Sequence, residues 1–285
     1  MTSDASDKTK SASTSTLWSD APRRLATVSI GVPIVWQILS FPMTAYIFFL
    51  CVHALCCWEW VRLEKIAAGS PILFLGISGI LACVSNDQLF SFLLTFTTGI
   101  FCWMQKHHWT LGLLLVTMPF RTWLIVSQDF PSTMFLLLVV WNCDTGALVS
   151  GRLSKRFTGE KRLYMPSWVH KISPAKSMEG FLGGLVGGTW TAVHWVPFLV
   201  KLFSVECSDS FRALWLDAPF LNRVGLGLVL SFLAIAGDLV ESSVKRHCQT
   251  KDSGNLLPGH GGILDRFDSS LLAVLFYHYL HHRQY

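Results

Sequence analysis

The chain has 285 residues, 51% of them hydrophobic and only 14% charged, with a net charge of +5 and a mean hydropathy of +0.44. A soluble domain carries about a quarter charged residues, so this composition excludes an ordinary water-soluble globular protein and makes lipid the solvent for much of the chain. The net charge alone excludes little; its placement along the chain says more.

Residues 1–22 form a polar tail rich in Ser and Thr, with too few apolar groups to fold. The tail has no apolar core of a secretory signal, and Asp4, Asp7 and Asp20 argue against an organelle transit peptide. Spanning a bilayer takes about 20 mostly apolar residues. Eight segments approach that length: 25–41, 43–61, 71–86, 89–104, 109–127, 132–150, 180–202 and 221–240. A shorter apolar run follows at 269–281, and whether it spans is left open. The predicted fold is therefore an all-α polytopic bundle of about eight or nine membrane segments. It divides into the tail (1–22), N-terminal helices (23–131) and a C-terminal region (132–285).

Charge tests this segmentation independently. If the tail is cytoplasmic and the segments alternate, 18 of the 23 Lys and Arg residues fall on the inner face, the bias that sets membrane orientation. The two long polar connections at 151–179 and 241–268 then share that face. Six of the eight cysteines lie inside apolar runs, none forms a C-x-x-C pair, and they read as reduced small hydrophobes.

Basic loops explain orientation but not the acids and glycines among them. FLLLVVWNCDTGALVSGR carries Asp144, and FLAIAGDLVESSVKR carries Asp238 and Glu241, at depths where an ionised acid costs about 2.5–3.5 kcal/mol. On a helix, Asp238, Ser242 and Lys245 share one face. Glu241 and Lys245 are also spaced as a solvated i, i+4 pair. The chain continues through Lys251 and Asp252, then Pro258-Gly259-His260-Gly261-Gly262, then Asp265-Arg266-Phe267-Asp268. Glycines let backbone amides approach an anion, Lys and Arg neutralise phosphates, and aspartates supply hard oxygens to Mg2+. These are the parts of a metal–phosphate site at the membrane surface. Asp268-Ser269-Ser270 is also placed to cap the last helix.

The other inner loop ends in Ser173-Pro174-Ala175-Lys176-Ser177-Met178-Glu179, with Ser177 as a candidate N-cap. Gly180, Gly183, Gly184, Gly187 and Gly188 then make a close-packing helix face. Lys176 and Glu179 are open to either catalysis or charge solvation.

Taken together, SSVKR from Ser242, KDSG from Lys251 and LPGHGGILDRFD from Leu257 resemble the signature of the phosphatidate cytidylyltransferases, or CDP-diacylglycerol synthases, over residues 242–268. The stretches Trp141–Ala147, Gly151-Arg152, Ser173–Gly180 and Gly237-Asp238-Leu239 extend the resemblance to about 135–282. Two departures are Ser177-Met178, where Thr-Trp is commoner, and Leu153-Ser154-Lys155, where a Gly commonly follows Gly-Arg. Neither removes a charged group.

The resemblance implies a multi-pass membrane enzyme of phospholipid biosynthesis. It would condense CTP with phosphatidic acid to CDP-diacylglycerol and pyrophosphate, using one Mg2+ or two, in a polar cavity open to the cytoplasm and the headgroup plane. Asp238 and Asp265 are then the first candidates for the cation, followed by Asp268, Asp144 and Asp252. Lys245, Arg246, Lys251 and Arg266 would meet the triphosphate, and Lys176 and Ser173 a substrate phosphate. Glu179, Ser242, Gly259, Gly261 and Gly262 complete the substrate-binding candidates. His260 would either donate to pyrophosphate or structure the loop.

No nucleic-acid partner is expected, and a homodimer is left open. A bacterial cytoplasmic membrane and a eukaryotic organelle membrane fit equally. The rival readings are a dolichol-kinase-like CTP-dependent lipid kinase and an ion-coupled transporter, although no internal repeat of the transporter kind is present.

Overall fold

The computed structural model describes residues 33–63, 113–158, 165–254, 256 and 261–282. The segments predicted at 71–86 and 89–104, the polar tail and the start of the segment at 25–41 lie outside the described residues. Among the described residues, regular structure is helical throughout and no strand occurs.

Helix α1 covers Pro42–Leu63, α2 Met118–Val126, α3 Phe130–Thr158, α4 Ser167–Ile172, α5 Met178–Trp190, α6 Val196–Leu202, α7 Phe220–His247 and α8 Leu264–His282. Wider π-helical turns at Leu113–Thr117 and Thr191–Trp195 lead into α2 and join α5 to α6. Among the described residues, three helices, α1, α3 and α7, are long and apolar enough to cross a bilayer.

Helix α1 buries Ala45, Phe49, Val52, Cys56 and Trp60, one stripe at helical spacing. Phe49 stacks on Trp123 of α2 with centroids 4.7 Å apart and meets Phe267 of α8 edge-on at 6.2 Å. This aromatic contact joins the N-terminal helix to the signature region. On α3, Phe135 packs against Trp215 and Tyr277, and Ser132 hydrogen-bonds the Tyr277 hydroxyl at 2.6 Å.

Helix α5 lies close along α3 through its glycine face, as its spacing predicted. A Cβ on Gly187 would come within 2.7 Å of the Asn142 carbonyl oxygen, so a larger residue there pushes the helices apart. Ser177 accepts a hydrogen bond from the Gly180 amide at 3.2 Å and is the N-cap of α5. The buried stripe of α7 runs Gly227, Leu230, Ser231, Ala234, Ile235, Gly237, Glu241, Ser242 and Lys245. It starts small and apolar and ends charged, and the charged end faces the start of α8.

Candidate active site

One cavity of about 320 Å3 is lined by Asp144, Ala147, Asp238, Lys245, Asp252, Asp265, Arg266, Asp268 and Ser269. All five aspartates expected at a cation therefore border the same space, although they come from α3, α7, α8 and the connection between the last two. Two of them, Asp265 and Asp238, pair with lysines.

At the first, Lys245 Nζ pairs with Glu241 one turn back and donates to Asp265 Oδ1 at 2.6 Å. Asp265 also accepts from the Gly262 amide at 2.8 Å and from the Ser253 amide at 3.0 Å. Burial alone raises a carboxyl pKa. Here the Lys245 ammonium and the two amides outweigh burial and hold Asp265 below the usual carboxylate range. Gly261 takes φ = +78° beside this carboxylate, a conformation that L side chains adopt rarely.

At the second, Lys176 Nζ lies 2.6 Å from Asp238 Oδ2, and Ser242 Oγ donates to Asp238 Oδ1 at 3.1 Å. Ser269 Oγ is 3.2 Å from both Asp144 Oδ1 and Asp268 Oδ1, and the Ser269 amide donates to Asp268 at 2.6 Å. Asp144, Asp238 and Asp268 thus border the cavity together with Arg266, and Asp238 alone of them pairs with Lys176.

The remaining candidates are placed differently. Arg246 donates to the Ile172 carbonyl at 2.9 Å and the Thr250 carbonyl at 3.2 Å, tying α4 to the end of α7. Lys251 is exposed and absent from the cavity lining. Ser173 accepts from the Lys176 amide at 3.2 Å and shapes the turn that delivers the lysine. Glu179 sits in the first turn of α5. Gly262 contributes its amide to Asp265, whereas Gly259 and His260 lie outside the described residues.

The expected cap of α8 needs correction. The helix starts at Leu264, so Asp268, Ser269 and Ser270 are interior to it. Its first amides are met instead by Glu59 of α1, which is fully buried. Glu59 accepts from Ile263 N at 2.9 Å, Leu264 N at 2.8 Å and Ser253 Oγ at 3.1 Å. A Cβ on Gly262 or on Gly254 would come within 2.6 Å of its carboxylate oxygens, so both glycines make room for it. Sequence reasoning passed over Glu59 because the chemistry was sought in the C-terminal half. The signal was present: an acid between Trp58 and Trp60, inside an apolar segment, is as anomalous as Asp144.

Among the described residues, no three His, Cys, Asp or Glu side chains converge closely enough to hold an ion alone. Mg2+ does not require that. It keeps several waters and commonly binds through one or two carboxylates plus substrate phosphates. The hard oxygens of Asp144, Asp238 and Asp268, in a cavity of polar lining with the cationic Arg266 beside them, suit that mode.

Residues 22–283 match the sequence profile of the cytidylyltransferase family. A phosphatidate cytidylyltransferase of Staphylococcus epidermidis is 33% identical over 216 residues, covering 76% of this chain and 69% of the relative. The enzyme of that name from Staphylococcus saprophyticus is 41% identical over 148 residues, or 52% of this chain and 48% of the relative. That of Bacillus subtilis is 38% identical over 146 residues, or 51% and 45%. The matches thus span about half the length of two of these relatives and about two thirds of the third. With the aspartates, Lys245 and Arg266 of the signature lining one cavity and the profile match covering residues 22–283, the chain belongs to the cytidylyltransferase family.

Proposed function

We propose that this protein condenses CTP with phosphatidic acid to give CDP-diacylglycerol and pyrophosphate in the membrane. The observation that carries this reading is the single cavity in which Asp144 of α3, Asp238 of α7 and Asp268 of α8 stand beside Lys245 and Arg266, the first two within apolar helices long enough to cross a bilayer. One reactant is a lipid phosphate fixed at the headgroup plane and the other a soluble triphosphate, so a polar cavity at a helix mouth serves both. The inner-face bias of Lys and Arg supports eight or nine segments with this cavity facing the cytoplasm.

In the proposed reaction a phosphatidate oxygen attacks the α-phosphorus of CTP in line. A new P–O bond forms, the bond from the α-phosphorus to the bridging oxygen breaks, and pyrophosphate leaves with that electron pair. The attacking phosphate is already an anion at neutral pH, so no side chain need remove a proton. The chain's main tasks are neutralisation and alignment of two polyanions. Lys176 reaches the lipid phosphate and Arg266 faces the triphosphate, while Lys245 holds Asp265 at the cavity edge. Asp144, Asp238 and Asp268 would hold Mg2+, with Asp252 and Asp265 lining the same space. When bound, the cation supplies charge neutralisation at the phosphate oxygens.

The test is an assay of purified protein with labelled CTP and phosphatidic acid, with and without Mg2+. CDP-lipid with pyrophosphate is the expected product pair. A phosphorylated lipid with free CDP would indicate a lipid kinase instead.

A further inference from the structure

Helix α7 separates the polar cavity from a second, larger one. The second has a volume of about 510 Å3, and its walls include Trp168 and Ile172 of α4, Phe181 of α5, and Phe232, Ile235 and Leu239 of α7. Ser243 is the one polar side chain on the α7 wall. Successive helical residues point about 100° apart, so Leu239 turns into this groove directly beside Asp238, which lines the polar side. Met178 enters it two residues after Lys176. The Lys176–Asp238 pair, 2.6 Å apart, therefore lies where the two cavities adjoin.

The outer wall is built rather than incidental. Helix α4 buries Val169, leaves Trp168 60% exposed as an interfacial anchor would be, and is tied at Ile172 to Arg246.

We infer that this groove receives an acyl chain of the phosphatidate substrate, so that one lipid lies across the rim with its phosphate at Lys176 and its chain along Leu239, Ile235 and Phe232. This inference rests on the proposed reaction. The two sides of α7 select the occupant: the groove is apolar along its walls, and at its rim it adjoins a polar side carrying Arg266 and the paired Lys176, which suits a phosphate headgroup followed by a hydrocarbon chain. A nucleotide presents no comparable apolar length. Chain preference would then be set by the depth of the α4–α5–α7 groove.

The experiment compares Ala236→Trp, which fills the groove wall, with the parent protein on dioleoyl- and dihexanoyl-phosphatidate. Excluding two methylenes from apolar burial lowers the ratio of kcat/KM, long chain over short, by about tenfold. An unchanged ratio overturns the inference. In parallel, phosphatidate carrying a diazirine in its acyl chain is crosslinked to the parent protein, which needs no variant to fold. Labelling at Trp168, Phe181 or Leu239, competed by unlabelled phosphatidate but not by phosphatidylcholine, supports the groove. Equal competition by both lipids identifies bulk bilayer contact and overturns it. A parent protein that makes no CDP-lipid removes the proposed reaction and the inference together, whereas an active parent with an unchanged ratio removes the inference alone.

Discussion

The two lysines that pair with cavity aspartates are used in opposite ways. Lys245 is 10% exposed and sits between Glu241 and Asp265, themselves 3% and 7% exposed, with two backbone amides completing Asp265. Lys176 and Asp238 are 22% and 30% exposed, and two further carboxylates stand nearby around Ser269. The Lys245 end holds its charges largely out of water, with one ammonium shared by two carboxylates and two amides completing Asp265; it fixes the loop after α7 against the start of α8. The Lys176 end is open and acid-rich, so its charge is completed only by something that arrives. Buried pairs are poor sources of net stability but costly to break, whereas a half-open acid cluster has room for solvent, a cation or a substrate. The same residue types thus read as scaffold at one end and as reactive surface at the other.

The largest effects should fall on activity at the open end. Asp238→Asn or Asp144→Asn should lower CDP-lipid formation by about a hundredfold to a thousandfold, with thermal stability close to that of the parent. A variant that retains most of its activity would move the chemistry elsewhere in the cavity. At the closed end the damage should appear in folding. Lys245→Ala leaves Glu241 and Asp265 buried without their cation, at a cost of about 3–5 kcal/mol, read as a lowered melting temperature in detergent. If melting is unchanged, the scaffold role of Lys245 is wrong.

Glu59→Gln sharpens the contrast further. The substitution keeps the shape but sets an amide NH2 against donors that need an acceptor. An unsatisfied buried group costs about 1–3 kcal/mol, and hydrogen exchange should rise at Ser253, Ile263 and Leu264 before it rises in α3. Uniform exchange across the protein would show that Glu59 does not hold this loop locally.

The smallest effect is on pH dependence. Asp265 has its pKa lowered in the fold, so its contribution is complete above the unfolded value of about 3.9 and is lost as pH falls through the lower folded value. Melting temperature should therefore fall more steeply with acid below about pH 4 in the parent than in Asp265→Asn. Parallel curves would mean that the Lys245 and amide contacts are not what holds that proton off.

Much of this arrangement was legible in the residues. The apolar segments at 43–61, 132–150 and 221–240 correspond to α1, α3 and α7, and the glycine face of α5 packs as its spacing predicted. Five aspartates scattered over more than a hundred residues were expected at one place and line one cavity. That Asp265 pairs with Lys245 and Asp238 with Lys176 was not legible, because each pair forms across separate elements. Arg246 reads as a phosphate ligand in sequence, yet its helical position turns it to the carbonyls of Ile172 and Thr250.

The tryptophans divide similarly. Trp168 and Trp190 are exposed as interfacial anchors would be, whereas Trp60, Trp123 and Trp215 are core, because neighbouring helices cover them. The cap of α8 was missed for a related reason. Local rules search for a cap within a few residues of the helix start, and this one comes from Glu59, about two hundred residues upstream.

The division of labour between the two ends is tested most directly by Mn2+ binding, followed by electron paramagnetic resonance on the purified protein without substrates. Asp238→Asn should weaken binding by about tenfold or more, while folded Asp265→Asn should bind as the parent does. Unaltered binding in Asp238→Asn, with the loss confined to Asp265→Asn, would contradict the assignment and place the cation at the Lys245 end.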